Sequence, residues 1–375
     1  MRVLHLSDLH LSRYGESGTW TPRDPADDAE VLHSWRGWQI EALRSRKRRR
    51  PDKIRLVDPE GVVHRIRSAS KRDDKKIQAL LSLAMERHRT SAANLIQEPL
   101  PLEDLQALLK VDPVNTNLRF IEMLEQVLRL DPELILLTGD TTDNGFGYQL
   151  VIHYLADWIR RGRFLVVPGN HDIYEMLPLR GRLKRRTAKG ERYRRFAEEV
   201  GLEPLSHNAW LQFRGDIAFV GLDSCMPPRT QLSASGKVSE EQLRWLDRLS
   251  EDPDFRGARL RVALVHHHLL RMPFSLGKRN PIEMTMRLRN APEVMQACRR
   301  AGIDLLFNGH RHHGYLVQLP DHPTVISSPS STLGCKFARS DYVWLIDLAE
   351  RHPYPVLHAF RGYRAQMGHA EPNDD

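Results

Sequence analysis

Five short polar blocks, each closing an apolar run, constrain this chain more than any other feature. They are Asp8-Leu9-His10, Gly139-Asp140, Gly169-Asn170-His171-Asp172, His266-His267-His268 and Gly309-His310-Arg311-His312. The runs before them span residues 1–6, 134–137, 164–167, 262–265 and 303–307. Short apolar runs bounded by turn residues read as buried strands. The blocks then fall at the carboxyl ends of those strands, where open α/β sheets gather their ligands. Helical spacing lies between them. Residues 118–130 carry an amphipathic pattern ended by Asp131-Pro132, 239–249 start on Ser239 as N-cap, and 292–301 precede the last of the five strands. Residues 217–222, 324–326, 342–347 and 356–360 read as further strands.

With 375 residues, the chain is long enough for one large domain carrying an insertion. The core is expected over 1–365, interrupted by an insertion at 35–114, with 366–375 as a disordered tail. Within the insertion, Ile54 to Arg67 alternates around Pro59-Glu60-Gly61, a hairpin signal, and 75–89 and 102–110 read as helices. No run approaches the ~20 apolar residues of a membrane span, and Asp8 and His10 interrupt the N-terminal run too early for a signal peptide. Cys225, Cys298 and Cys335 are far apart and read as buried small residues in a reduced, cytoplasmic setting. The net charge of +8 is uneven. Arg44 to Arg50 reads RSRKRRR, and a second cluster runs from Arg180 to Arg195. Such runs read as solvated faces, or as surfaces for nucleic acid or anionic lipid.

The five blocks offer carboxylate, amide and imidazole donors, the set that hard-to-borderline divalent metals take. No cysteine stands in these loops, which argues against a structural zinc cluster. Burying so many ionisable groups at one sheet edge without metal would be costly. His5, His207 and His313 read as structural histidines. Asp143 and Asn144 either orient the site or form the turn before Gly145, and Arg311 either touches substrate phosphate or points to solvent.

The ordered series D-x-H, GD, GNHD, H, GHxH resembles the calcineurin-like metallophosphoesterase superfamily, and most of all its bacterial cyclic-nucleotide phosphodiesterase type. The resemblance covers about 1–32 and 115–345 but not the insertion. It implies a four-layer α/β/β/α sandwich, here with a basic insertion. It implies two divalent ions, manganese, iron or zinc: one held by Asp8, His10 and His312, the other by Asn170, His266 and His310, with Asp140 bridging. A metal-bridging hydroxide would attack the phosphoester in line. His171 would stabilise the phosphate or protonate the leaving group, and Asp172 would orient His171. Asn170, His171 and Arg311 would face the substrate. The family's HH block is usually followed by proline, where this chain has His268; His266, first after the strand, is the favoured ligand, and His267 is expected to pack or to hydrogen-bond behind it. The expectation is a phosphoester hydrolase. A nuclease of the same superfamily, a lipid-linked pyrophosphatase and a non-catalytic scaffold stand as alternatives.

Overall fold

The computed structural model describes residues 1–16, 21–22, 29–43, 53–68, 73–143, 145–174, 188–203, 208–225, 234–270, 285–334, 341–349 and 355–360. Two sheets form the centre. The first runs β16 (Pro355–Phe360), β15 (Asp341–Asp347), β1 (Arg2–Leu6), β7 (Leu134–Leu137), β8 (Phe164–Val166). Its β1, β7 and β8 are parallel, while β15 and β16 return antiparallel. The second runs β13 (Tyr315–Val317), β14 (Thr324–Ser327), β12 (Leu305–Asn308), β11 (Leu260–Val265), β10 (Ile217–Leu222), β9 (Trp210–Arg214), with β10, β11, β12 and β14 parallel.

Alternation along the second sheet sets the layering. Ile217, Phe219, Leu260, Val262, Leu264, Leu305 and Phe307 enter one apolar core together with Leu4, Leu6, Leu136 and Leu165 of the first sheet. Their neighbours Ala218, Val220, Leu222, Ala263, Val265 and Leu306 enter a second core with Trp245 and Leu246 of one helix and Val294 and Cys298 of another. Successive strand side chains point to opposite faces, so each strand packs a sheet on one side and helices on the other. Phe120, Met123, Leu124 and Val127 cover the outer side of the first sheet. The result is the four-layer α/β/β/α sandwich.

The helices used below are α1 (Asp74–Arg89), α2 (Ala92–Gln97), α3 (Leu102–Val111), α4 (Thr116–Val127), α5 (Tyr148–Tyr154), α6 (Ala188–Glu199), α7 (Glu240–Leu249) and α8 (Ala291–Arg300). Asn115 caps α4, its side chain accepting from the Leu118 N–H, and Ser239 caps α7 through Gln242. Cys225 and Cys298 are buried free thiols; Cys335 lies outside the described residues. Among the described residues no helix is long and apolar enough to cross a membrane.

A third sheet, antiparallel throughout, runs β2 (Thr21–Pro22), β6 (Val62–Ser68), β5 (Lys53–Val57), β4 (Trp38–Leu43), β3 (Ala29–Trp35). It packs on α1 through its own small core of Tyr14, Trp38, Ile40, Ile54, Leu56, Leu80 and Ala84. Its extent differs from the 35–114 read in the sequence. Strand β3 already belongs to it, because Arg36 and Gly37 both take positive φ (47° and 84°) and fold β3 onto β4 in a two-residue hairpin. At the other end, Ala92 and Leu95 of α2 and Leu105 and Leu109 of α3 bury in the main core. The basic run 44–50 and the tail 366–375 lie outside the described residues, as do residues 180–187 of the second basic cluster.

Candidate metal centre

The parallel strands β1, β7, β8, β11 and β12 deliver all five blocks to one edge of the sandwich. The loops leaving them are tightly wound. Asp8, His10, Asp140, His310 and His312 have φ of 52°, 50°, 50°, 74° and 54°, five of the nine non-glycine residues in the left-handed region among the described residues. Each such conformation costs on the order of 1–3 kcal/mol and persists only where the surroundings over-determine it. Those surroundings are visible. Leu11 N–H donates to the Thr141 carbonyl and Asp143 N–H to that of Leu11, tying the first loop to the second. Ser330 and Thr332 hydroxyls donate to the Asp8 and Leu9 carbonyls (2.6 and 2.7 Å), and the Thr116 hydroxyl to that of His10 (2.8 Å).

Gly139 is where backbone and ligands meet. Its φ is +89°, and an added Cβ would lie 2.6 Å from His266 Nδ1 and 2.7 Å from the Gly169 nitrogen. Gly139→Ala is therefore expected to lose about 2 kcal/mol or more of stability, since strain and collision with backbone act together. Chemical denaturation in chelator checks this, and an unchanged midpoint would contradict the packing described.

Two trios of donors converge. Asp8, His10 and His312 form one, and Asp140, His266 and His310 the other. In the first, Asp8 Oδ2 accepts from the Ser7 hydroxyl (2.5 Å) and the His310 N–H (2.9 Å). Its Oδ1 is buried, accepts no hydrogen bond, and lies 3.4 Å from His312 Nε2. His10 Nε2 faces His312 Nε2 at 3.1 Å. In the second, His266 Nδ1 donates to the Thr138 carbonyl (2.8 Å) and His310 Nε2 to that of Met286 (2.9 Å). The remaining lone pairs, on His266 Nε2 and His310 Nδ1, face each other at 3.1 Å, with Asn170 Oδ1 3.0 Å and Asp140 Oδ2 3.4 Å from His266 Nε2. Lone pairs aimed at lone pairs repel unless a proton or a metal cation lies between them, and oxygen with imidazole nitrogen suits a divalent metal. The residues present thus fit divalent metal ions, with Asp140 a member of the second trio.

Charge in this cluster is strongly coupled. Burial works against the protonated form of His10, but Asp143, with Asp140 and Asp8 behind it, raises its pKa to about 10. His266 likewise overcomes burial, through Asp140, and reaches about 9. His310 goes the other way, pushed well down by burial and by His267 and His266. Burial opposes the Asp140 charge too, yet His266 and His171 hold its carboxyl well below the usual range.

His171, 27% exposed at the side chain, lies on the solvent side of the centre, with its backbone N–H donating to Asp140 Oδ1 (2.8 Å). Its orienting partner differs from the one expected. Asp172 does not reach it: that carboxylate accepts from the Thr141, Thr142 and Gly169 N–H groups (3.1, 3.0 and 2.9 Å) and from the Tyr148 hydroxyl (2.9 Å). Position N3 of a helical turn points a side chain back at the turn's own N-terminus, which is why the neighbour in sequence is not the neighbour in space. Asp172 locks the second and third loops together, and burial, then the Asp140 charge, keep its carboxyl up at about 6. The partner of His171 is Asp143, whose Oδ1 lies 2.8 Å from His171 Nδ1 and 2.6 Å from His10 Nδ1. One carboxylate thus fixes a metal-ligand candidate and the candidate acid together, and the alternatives left open for it close on that role. The signal for it was the GDTTDNG stretch itself.

The three successive histidines separate. His266 enters the cluster. His267 spans Ser224 (2.8 Å) and the Ala234 carbonyl (3.0 Å), and His268 stacks on His310 with ring centroids 5.8 Å apart. Arg311 is buried, with Nη1 2.9 Å from Met286 Sδ, which removes it from open solvent. His5 bonds the Thr138 hydroxyl (2.9 Å), and burial pushes it down to about 3, as suits a structural histidine. His313 is buried too. His207 and Asn144 lie outside the described residues.

With that geometry in hand, comparison with known proteins gives one answer. The calcineurin-like phosphoesterase family model matches residues 104–314, more than half of the chain. The chain belongs to the calcineurin-like phosphoesterase family. The match includes Asp140 to His312 but not Asp8 and His10, which the third sheet separates from the rest in sequence. Among similar proteins, one named as a probable glycerophosphodiester phosphodiesterase, GpdQ, of Arcobacter nitrofigilis is 30% identical over 142 residues, 38% of this chain and 43% of that protein. The match thus spans less than half of that relative's length. One named as a probable cyclic nucleotide phosphodiesterase of Fibrobacter succinogenes is 25% identical over 226 residues, 60% of this chain and 74% of that protein. Among solved structures, a dimetal phosphatase of Danio rerio covers 96% of this chain and 99% of its own at 13% identity, with a TM-score of 0.44.

Proposed function

We propose that this calcineurin-like phosphoesterase is a di-metal phosphodiesterase that hydrolyses phosphodiester bonds. The observation that carries this reading is the Asp140 carboxylate, which shares a cluster of metal donors with His266 and His310 and accepts from the backbone N–H of His171 at 2.8 Å. Asp8, His10 and His312 would hold one ion, Asn170, His266 and His310 the other, and Asp140 both. When bound, two divalent ions activate water and neutralise charge on the phosphoryl group. The chain's own residues do the rest. With Nδ1 committed to Asp143, His171 has Nε2 left for a phosphate oxygen or the leaving alkoxide, and positioned proton donation of this kind contributes ~10²–10⁴-fold. Asp143, shared with His10, keeps the acid in register with the metal ligands.

A panel with manganese against bis-p-nitrophenyl phosphate, p-nitrophenyl phosphate, cyclic AMP and single-stranded DNA tests the reading. Turnover is expected on the first at the least, and no turnover on any of the four would overturn it.

The pKa shifts add a pH dependence. His10 at about 10 and His266 at about 9 carry protons at neutral pH before metal binds, and the metal must displace them. Apparent metal affinity should thus rise with pH up to about 10, and below that fall about tenfold per pH unit for each proton the metal has to displace. Titrations of manganese at pH 6.5, 7.5 and 8.5 check this; a flat affinity would contradict it.

A further inference from the structure

At the amino ends of the strands, away from the metal centre, the two central sheets frame a crevice of about 400 Å³. Leu134, which opens β7 of the first sheet, and Ile217, which opens β10 of the second, both line it. Asp140 lies past the other end of β7. At ~3.3 Å per residue, the strand alone puts about 10 Å between the crevice and the metal loops.

The walls are basic. Arg161, Arg163, Arg214 and Arg259 line the crevice, against the acids Glu133 and Asp216. Both acids are already engaged. Asp216 takes the Arg259 guanidinium (2.6 and 3.4 Å), and Glu133 accepts from the Arg2 backbone N–H (2.8 Å). Arg161 and Arg163 are exposed, and neither side chain makes a hydrogen bond or ion pair among the described residues. Arg214 is half-buried and held from three sides. Its Nε donates to the Gly162 carbonyl (2.6 Å), and its Nη1 to Gln212 Oε1 (3.1 Å) and the Phe213 carbonyl (2.8 Å). All three acceptors are neutral. Its Nη2 makes no hydrogen bond among the described residues, and burial pulls its pKa down.

Three guanidiniums without a carboxylate around one crevice repel one another. A structural task accounts for Arg214, which ties the turn before β8 to the end of β9. It does not account for Arg161 and Arg163, on either side of Gly162 in that same turn. A guanidinium fixed in place presents its remaining N–H donors in a set plane, which suits a phosphate oxygen. The volume falls in the range of small-molecule sites, roughly 300–1,000 Å³. A phosphate carries about −1.5 to −2 at neutral pH, so two of them answer three guanidiniums better than one does.

We propose that this crevice binds a small molecule bearing two phosphate groups, at a site separate from the metal centre and shared by the two sheets. It stands apart from the phosphodiesterase reading, because no residue of the metal centre takes part. The bound molecule would link Arg163, at the entry to β8 of the first sheet, with Arg214 of the second.

Fructose 1,6-bisphosphate serves as the probe, with fructose 6-phosphate and citrate beside it, each titrated calorimetrically into the manganese-loaded protein. The wild type is expected to bind the bisphosphate about 10-fold or more tighter than the monophosphate or citrate, the worth of one charge-assisted hydrogen bond or more. The double variant Arg161→Ala/Arg163→Ala should lose ~10–100-fold in affinity for the bisphosphate. Its kcat and KM on bis-p-nitrophenyl phosphate should stay within about twofold of wild type, since distant sites act independently. Neither side chain has a bond to lose, so the fold should be unaffected. Arg214→Gln should weaken the bisphosphate similarly; should it fail to fold for want of the Gly162 contact, the double variant decides alone. Saturating bisphosphate should raise the melting temperature of the wild type more than that of the double variant. Citrate bound as tightly as the bisphosphate would overturn the phosphate assignment. A wild type that prefers neither phosphate compound, or a double variant with unchanged affinity and competitive inhibition of diester turnover, would overturn the site and leave the arginines as solvated charges. Absence of turnover across the diester panel would leave the difference between wild type and double variant standing, so the two readings fail separately.

Discussion

Asp140→Ala is expected to bring turnover on a diester below about 10⁻³ of wild type and to lower the metal content. Its carboxylate lies with Oδ2 3.4 Å from His266 Nε2 and Oδ1 on the His171 N–H, and its charge supports both His266 and His10. Losing metal-borne stabilisation worth several kcal/mol corresponds to a loss of that order or more. The fold should survive, since the loop is also held by Asp172 and by the Leu11–Thr141 hydrogen bond. Metal analysis beside a circular dichroism melt checks both halves. A folded Asp140→Ala protein that keeps two ions and its turnover would contradict the assigned position.

Asp143 and His171 form the second expectation. His171→Ala should keep both metals and lose ~10²–10⁴-fold in kcat. Asp143→Ala should match that loss in kcat and in addition weaken metal binding by ~10–100-fold, because the same oxygen holds His10 Nδ1 at 2.6 Å. Asp143→Asn separates geometry from charge: an amide oxygen can still accept from one ring but brings no negative charge. The double variant decides the link. If Asp143→Ala and His171→Ala act through one path, their effects on kcat fall well short of additive. Full additivity in kcat, or an Asp143→Ala protein with wild-type metal affinity, would show that Asp143 serves neither ring.

The sequence made the strand-end blocks legible because the chemistry leaves little choice. Parallel strands buried on both faces read as short apolar runs, and polar residues directly after them have nowhere to go but the sheet edge. The helices of the outer layers were equally plain from their spacing, and that at 239–249 from its cap Ser239; the cap Asn115 emerged only with the structure. What stayed hidden was set by contacts distant in sequence. Asp172 follows His171 in the chain, yet its carboxylate turns to the backbone of residues 141, 142 and 169, while Asp143, in another loop, takes the His171 ring. The hydroxyls of Ser330 and Thr332, which brace the Asp8 loop, lie in a segment with no motif of its own. The hairpin β3–β4 turns on Arg36-Gly37, where the arginine takes a conformation usually given to asparagine or glycine. Its strand β3 follows no strict alternation, because its register shifts between Val31 and His33 and most of its residues are open to solvent.

The central claim is that two divalent ions share Asp140. Anomalous diffraction from crystals grown with manganese tests it most directly. The account predicts two peaks, one in contact with Asp8, His10 and His312, the other with Asn170, His266 and His310, and both touching Asp140. A single peak, or peaks that leave Asp140 untouched, would contradict it.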